Sequence, residues 1–116
     1  MVTDCIFCKI ITKKIPSSPI FENEHVFVIP DIAPKAPIHY LIMPKKHIEN
    51  LLDLADQDTL LAGRLLEAAR DLGVQLGSKS FNLISNNGAG AGQSVFHLHF
   101  HFLAGKNVYQ EGGLQL

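Results

Sequence analysis

One segment constrains this chain more than any other. From Phe96 to Phe102, apolar residues and histidines alternate without a break: Phe96-His97-Leu98-His99-Phe100-His101-Phe102. Successive side chains on a β-strand point to opposite faces of the sheet. A strand over 95–103 therefore gathers Phe96, Leu98, Phe100 and Phe102 on one face, and His97, His99 and His101 on the other. Neighbouring imidazoles then stand about 6.5–7 Å apart. The apolar row is a core face that needs a cover. The histidine row fits three readings: a half-exposed strand that happens to carry His, a metal site built from neutral imidazoles, or nucleophilic and acid–base catalysis. The first asks for three successive coincidences in a chain with only six His.

The cover comes from the one long helical pattern, about Asp56 to Leu76. Leu60, Leu61, Arg64, Leu65, Ala68, Ala69, Leu72 and Leu76 recur at steps of three and four residues, which makes one apolar face. Asp56 suits the N-cap and Gly77 the left-handed C-cap, while Gly63 and Gly73 blur the boundaries. Before it come three strand patterns, Ile20–Glu22, Val26–Ile29 and Ile38–Met43, with a hairpin turn at 22–25 and a Pro-rich loop at 31–37. Behind it, Phe81–Ser85 reads as a fourth strand and Val95–Leu103 as the fifth. Cys5–Ile11 forms a short helix, closed ahead of Pro16 and Pro19. The expectation is an α+β domain: a five-stranded, mostly antiparallel sheet with one long helix and a short N-terminal helix, residues 1–116 making a single domain.

Composition excludes whole classes of function. Lys plus Arg number 10 against 11 Asp plus Glu, a net charge of −1, so a polyanion finds no surface and nucleic acid is not an expected partner. No apolar run approaches the roughly 18 residues of a membrane span. The N-terminus has no signal-peptide pattern, and two cysteines three residues apart staple nothing large. A reduced cytoplasmic setting is the expectation.

The residues ahead of the histidine row narrow the chemistry. Gly88, Gly90 and Gly92 strip side chains from a loop between strands, so backbone N–H groups can converge on an anion. The loop feeds Gln93 and Ser94, two neutral donors, straight into the imidazoles. Neutral donors beside imidazole suit a single phosphate group, whereas a polyphosphate calls for Lys, Arg or Mg²⁺. Phosphorus chemistry with no cofactor required for catalysis is the expectation. Cys5-Ile6-Phe7-Cys8 has metal or redox spacing, but lacks the βαβ context of a redox motif. It is half of a possible zinc site, or else two reduced thiols at the start of a short helix.

His97-Leu98-His99-Phe100-His101-Phe102-Leu103 resembles the signature of the histidine triad (HIT) family, in which three His alternate with apolar residues. The likeness extends in the same order through Cys5–Ile11, Asp31-Ile32-Ala33-Pro34, Ala36-Pro37-Ile38-His39, Met43–Ile48 and Gly92-Gln93-Ser94-Val95. The most similar branch is that of the histidine triad nucleotide-binding proteins, homodimeric purine nucleoside phosphoramidases. The resemblance implies that His99 is the nucleophile that becomes nucleotidylated on its way to releasing a nucleoside monophosphate such as AMP. His101 would contact the phosphate, His39 would orient and tune His99, and Ser94 would hydrogen-bond the leaving amine. Asn86, Gly92 and Gln93 would line the phosphate and ribose, Asp31 would accept from the ribose hydroxyls, and Phe7, Ile10, Ile29, Ile32 and Leu41 would wall the base. It also implies that His47 and His97 complete a structural zinc site with Cys5 and Cys8, and that the partner is a purine nucleotide.

Two departures bear on specificity. Pro30 precedes Asp31 where eukaryotic members carry His, and the ending 108–116 lacks their Trp-Pro-Pro-Gly. The alternatives to a phosphoramidase are a dinucleoside polyphosphate hydrolase of the same family, typically marked by Gly-Gln-Thr and a longer C-terminus, and a non-catalytic nucleotide-binding regulator. Nucleotidyl transfer is disfavoured because the transferase branch carries Gln at the position of His101.

Overall fold

The first helix is short because both its ends are tied down within two turns. In the computed structural model, which describes residues 4–110 and 114–116, α1 spans Ile6–Ile11. Cys5 caps it, its Sγ accepting from the Cys8 backbone N–H at 3.3 Å. At the other end the Thr12 hydroxyl donates to the Cys8 carbonyl at 2.8 Å. Residues 1–3, where a leader would begin, and 111–113 of the C-terminal ending lie outside the described residues.

β1 (Phe21–Glu22) and β2 (Val26–Pro30) make a hairpin whose turn is closed by Asn23. The Asn23 side-chain oxygen accepts from the backbone N–H groups of His25 and Val26, both at 2.8 Å, a side chain mimicking a backbone turn. β3 (Ile38–Pro44) pairs antiparallel with β2, β4 is Asn82–Ile84, and β5 is Phe100–Ala104. The order is β1-β2-β3-β5-β4, antiparallel throughout, so β5 lies between β3 and β4, with His101 opposite Leu41 on one side and Ile84 on the other. This is the expected α+β architecture.

The long helix follows a 3₁₀ turn at Asp56–Asp58, and its α-helical part, α2, runs Thr59–Gln75. The helical path thus begins at Asp56, but the capping work falls to Asp58. Its carboxylate accepts from the Ala55 N–H at 3.1 Å and from Lys46 Nζ at 2.7 Å. Gly77, at φ +65°, ends the helix: its N–H goes to the Val74 carbonyl and that of Ser78 to Gly73. Gly73 has a packing reason to be Gly, since a Cβ there would sit 3.0 Å from the ring of Phe81, itself stacked on Phe102.

The sheet has two faces with different fates. Leu65, Ala68, Ala69 and Leu72 of α2 cover one of them, packing with Val26, Val28, Ile42, Leu98 and Phe102. On the other, α1 brings Cys5, Phe7 and Cys8 onto Phe27, Ile29, Leu41 and Met43. Near the far end of that face, Leu103 packs with Ala36 and Val108, and Leu114 and Leu116 close over them. His39 and His101 sit between these two covers.

One boundary differs from the expectation. β5 starts at Phe100, not Val95. Residues 95–99 leave the ladder and lean on the chain that follows β3, where the Leu98 N–H donates to the Ile48 carbonyl at 2.6 Å. The alternation of faces survives without the ladder: Leu98 is buried under α2, and His97 and His99 are buried on the opposite side. Phe96 is the exception, 44% exposed rather than part of the core row.

Candidate active site

Because the segment bends, the three imidazoles do not form an even row. His99 and His101 stay together with ring centroids 5.1 Å apart, while His97 turns towards α1 and stands edge-on to His47 at 5.0 Å. The row thus splits into a pair, His99 and His101, and a third ring, His97, that joins His47.

Hydrogen bonds fix the protonation pattern of His99 and His101. His99 Nδ1 lies 2.7 Å from the carbonyl oxygen of His97. A carbonyl only accepts, so Nδ1 carries the proton and Nε2 keeps its lone pair. On His39, Nδ1 accepts from the Lys35 backbone N–H at 3.0 Å, which places that ring's proton on Nε2. Nε2 then donates to His101 Nδ1 at 2.9 Å, so His101 carries its own proton on Nε2. No hydrogen bond among the described residues reaches Nε2 of His99 or of His101, and neither atom is sealed from solvent. Nε2 of His99 offers a lone pair and Nε2 of His101 offers a proton. That is the arrangement for attacking an electrophile while steadying the oxygen it carries.

Burial keeps these rings neutral. It pushes His101 down to about 4, with His99 and His39 adding to the effect. It also lowers His99, partly offset by the bond to the His97 carbonyl and by the charge of Asp31. His39 is lowered by burial against the opposing pull of Asp31. Phe7 packs edge-on against His99 at 5.1 Å and supplies part of that apolar wall.

Asp31 lies beside the pair. One carboxylate oxygen accepts from the Ala33 N–H at 2.8 Å, and the other lies 3.4 Å from His39 Nε2. Asp31, His39 and His101 bring their ligand atoms within 4.8 Å of one another. The protonated Nε2 of His39 nevertheless makes them a proton-donor chain, since a metal would need that lone pair.

The remaining expected residues fall into three groups. Ile29 and Leu41 are buried beside Phe7, with Ile10 packed against them. Ile32 is fully exposed and makes a rim. Ser94 is exposed and lines a pocket with Cys5, Ile6, His47 and Phe96, and Gly92, at φ +95°, approaches Asn86 in a conformation that only Gly takes readily. Gln93 differs from its expected place: its side chain is buried and spent on the protein. Its amide donates to the carbonyls of Glu49 at 2.7 Å and Val95 at 3.0 Å, and its oxygen accepts from the Gly88 N–H at 2.8 Å and from Asn50 at 3.4 Å. Gln93 holds the glycine loop in shape. Asn50 and the backbone groups of Lys35, Pro44 and Ile48 join the site unforeseen. A backbone N–H or carbonyl carries no sequence signal, and Asn50 is one buried polar residue among ordinary neighbours.

The structure also brings Cys5, Cys8, His47 and His97 together, their ligand atoms all within 4.8 Å. His97 Nδ1 lies 3.3 Å from Cys5 Sγ, 3.6 Å from Cys8 Sγ and 3.2 Å from His47 Nδ1, and Cys8 Sγ lies 3.4 Å from His47 Nδ1. Ligands at zinc bond lengths of about 2.0–2.3 Å stand about 3.3–3.8 Å apart around a tetrahedron. His97 Nε2 donates to the Pro44 carbonyl at 2.8 Å, so Nδ1 presents a lone pair to the cluster, as metal-bound histidines do. The donor set fits zinc.

Comparison with known proteins agrees with this geometry. A family profile described as "Scavenger mRNA decapping enzyme C-term binding" matches residues 4–113. An uncharacterized HIT-like protein of Synechocystis is 41% identical over 91% of this chain and 94% of its own. One of Chlamydia trachomatis is 45% identical over 86% and 91%. Among solved structures, a HIT family hydrolase from Clostridium thermocellum superposes with a TM-score of 0.89 at 39% identity, covering 97% of this chain and 99% of that one. A HIT family hydrolase from Legionella pneumophila gives 0.87 at 38%, covering 94% and 99%.

Proposed function

This chain belongs to the histidine triad family, and from that premise we propose that it hydrolyses the P–N bond of purine nucleoside 5′-phosphoramidates through a nucleotidyl-His99 intermediate. The observation that carries the reading is the tautomer of His99. The His97 carbonyl holds its Nδ1 proton at 2.7 Å, which aims an unprotonated, solvent-reachable Nε2 out of the site.

In this mechanism the His99 Nε2 lone pair forms a bond to the α-phosphorus as the P–N bond breaks. The leaving nitrogen takes a proton from solvent water and departs as the amine, hydrogen-bonded by Ser94, and the later attack of water on the phosphorus returns a proton to solvent. Positive charge develops on the His99 ring and is met by the His97 carbonyl at Nδ1. His101, a donor through Nε2, steadies a phosphoryl oxygen, and the N–H groups of Ala89 and Gly90, which no bond within the loop uses, take the others. Water then attacks the phosphorus, the P–Nε2 bond breaks, and the nucleoside monophosphate leaves with neutral His99 restored. Phe7, Ile10, Ile29 and Leu41 wall the base, Ile32 rims it, and Asn86 and Asp31 meet the ribose.

Cys5, Cys8, His47 and His97 would hold a structural zinc. When bound, it ties α1 to the turn after β3 and to the segment before β5. The two free thiols, both buried, fit a reducing cytoplasm, and no described helix is long and apolar enough to cross a membrane. The same reading makes the protein a homodimer.

The test is steady-state hydrolysis of an adenosine 5′-phosphoramidate beside a diadenosine polyphosphate. A kcat/KM at least about 100-fold higher for the phosphoramidate, lost in His99→Ala, is the expected result. Preference for the dinucleotide moves the protein to the polyphosphate-hydrolysing branch, and silence on both leaves nucleotide binding alone.

A further inference from the structure

The ladder of β3 and β5 brings two chain turns together at its end. Ile38 faces Ala104, so Pro37, just ahead of β3, meets Gly105, just past β5. Gly105 is at φ +99°, and a Cβ there would stand 2.9 Å from the Cβ of Pro37 and 3.0 Å from its Cγ. The position therefore excludes a side chain twice, by backbone conformation and by contact. Ala36, the next residue back along the loop, is buried with Leu103 and Val108. One step further back, the Lys35 N–H donates to His39 Nδ1 at 3.0 Å. A close contact at the end of the sheet thus holds the loop whose amide touches the site.

That amide decides the direction of a two-ring relay. His39 Nε2 and His101 Nδ1 lie 2.9 Å apart, so one of the two donates to the other. Two neutral arrangements keep this bond. In the first, His39 donates and His101 carries its own proton on Nε2. In the second, His101 donates from Nδ1, His39 carries its proton on Nδ1, and Nε2 of His101 is left with a lone pair. Passing from the first to the second moves the proton of that bond from His39 to His101, while His101 Nε2 gives a proton to water and His39 Nδ1 takes one. The Lys35 N–H opposes the second, because it would face another N–H at 3.0 Å. Asp31, with one oxygen 3.4 Å from His39 Nε2, favours the first by charge alone. In the second arrangement a lone pair on His101 Nε2 repels the phosphoryl oxygen that the first one holds.

We propose that Gly105 is a positioning residue: by leaving room for Pro37 it holds the Lys35 N–H on His39, and so keeps His101 a proton donor to the phosphate. The inference rests on the phosphoryl-transfer reading above and adds to it a control point that touches no substrate. It acts on the chemical step more than on binding, since the walls of the base pocket and the ribose contacts lie elsewhere.

The experiment uses the full chain and three variants. Gly105→Ala pushes Pro37 aside, and Pro37→Gly undoes the same contact from the other side without adding an atom. Gly77→Ala is the control, because Gly77 also has positive φ, +65°, but a Cβ there meets nothing within 4 Å. On an adenosine 5′-phosphoramidate, Gly105→Ala is expected to lose about tenfold in kcat and Pro37→Gly about threefold, part of what a lost oxyanion donor costs, with KM within about twofold. Gly77→Ala should melt lower and keep its kcat. ¹⁵N NMR of the histidine rings at neutral pH gives a readout independent of turnover. His101 should be protonated at Nε2 in the unaltered protein and in Gly77→Ala, and partly at Nδ1 in the other two. Unchanged His39 and His101 shifts in folded Gly105→Ala, or an equal loss of kcat in Gly105→Ala and Gly77→Ala, overturn the positioning role. Should Gly105→Ala not fold, Pro37→Gly decides by the same two readouts. Failure of the unaltered protein to hydrolyse any phosphoramidate overturns the functional reading, and the NMR shifts still decide whether Gly105 sets the tautomers.

Discussion

In the proposed reaction His99 is the nucleophile, and its surroundings show what it contributes to the fold. It is 9% exposed, among the described residues bonds only to a neighbouring carbonyl, and packs edge-on to Phe7. His99→Ala should therefore remove at least about 10³-fold of kcat/KM, as expected for a lost nucleophile. The melting temperature should change by no more than a few degrees, and a collapse on heating would mean that the ring is a core residue and not a reacting group. Gln93 should behave in the opposite way. Its amide satisfies two carbonyls and one N–H that are otherwise left unpaired, so Gln93→Ala should cost about 2–3 kcal/mol in urea denaturation. The sequence marked both residues as part of the site but could not tell their tasks apart. Residue type said that Gln93 can donate; only the fold shows that Glu49 and Val95 take what it donates. The tautomer of His39 was equally hidden, because the Lys35 N–H that sets it is present at every non-proline residue.

At the level of elements, periodicity carried most of the architecture. Steps of three and four residues located α2, and alternation located the faces around β5. What alternation could not locate was the start of the strand. Residues 95–99 keep the two-residue repeat of side chains while their backbone partners the Ile48 loop instead of a strand, and no side-chain pattern distinguishes the two. The glycines of α2 show the same limit. Gly63 has nothing within 4 Å of where a Cβ would stand, whereas Gly73 faces Phe81 at 3.0 Å. Gly63→Ala should accordingly stabilise the protein by about 0.5–1 kcal/mol, the usual gain in a helix interior. Gly73→Ala should gain nothing or lose stability, because the Phe81 ring is held by its stacking on Phe102. Parallel thermal melts of the two variants decide it, and equal gains would mean that Phe81 yields freely.

For the molecule as a whole, one sheet face holds it together and the other holds the site, so the site's own demands should be visible in global stability. The cysteine–histidine cluster gathers residues as far apart as Cys5 and His97, and a metal that binds only this folded arrangement stabilises by mass action, about 4 kcal/mol at a thousand times its dissociation constant. Zinc should therefore raise the melting temperature of the chelator-treated protein, and should fail to do so in Cys8→Ser. The buried imidazoles pull the other way in acid. His101 is held at about 4 when folded and returns to about 6.5 when unfolded. Between those values the unfolded chain binds more protons than the folded one, so stability rises with pH there. The contribution is fully present above about pH 6.5 and lost as pH falls towards about 4, up to about 3 kcal/mol. His99 and His39, also lowered, add in the same direction. The carboxylates Glu22 and Asp58 are lowered as well, from 4.5 and 3.8, so their stabilisation fades only at more acid pH and does not obscure the window. Urea midpoints taken from pH 7 to pH 4.5 should decline steadily in the unaltered protein and less in His101→Asn. A flat profile across that range would mean that the rings reach solvent and that the neutral, nucleophilic state of the pair is not maintained by burial.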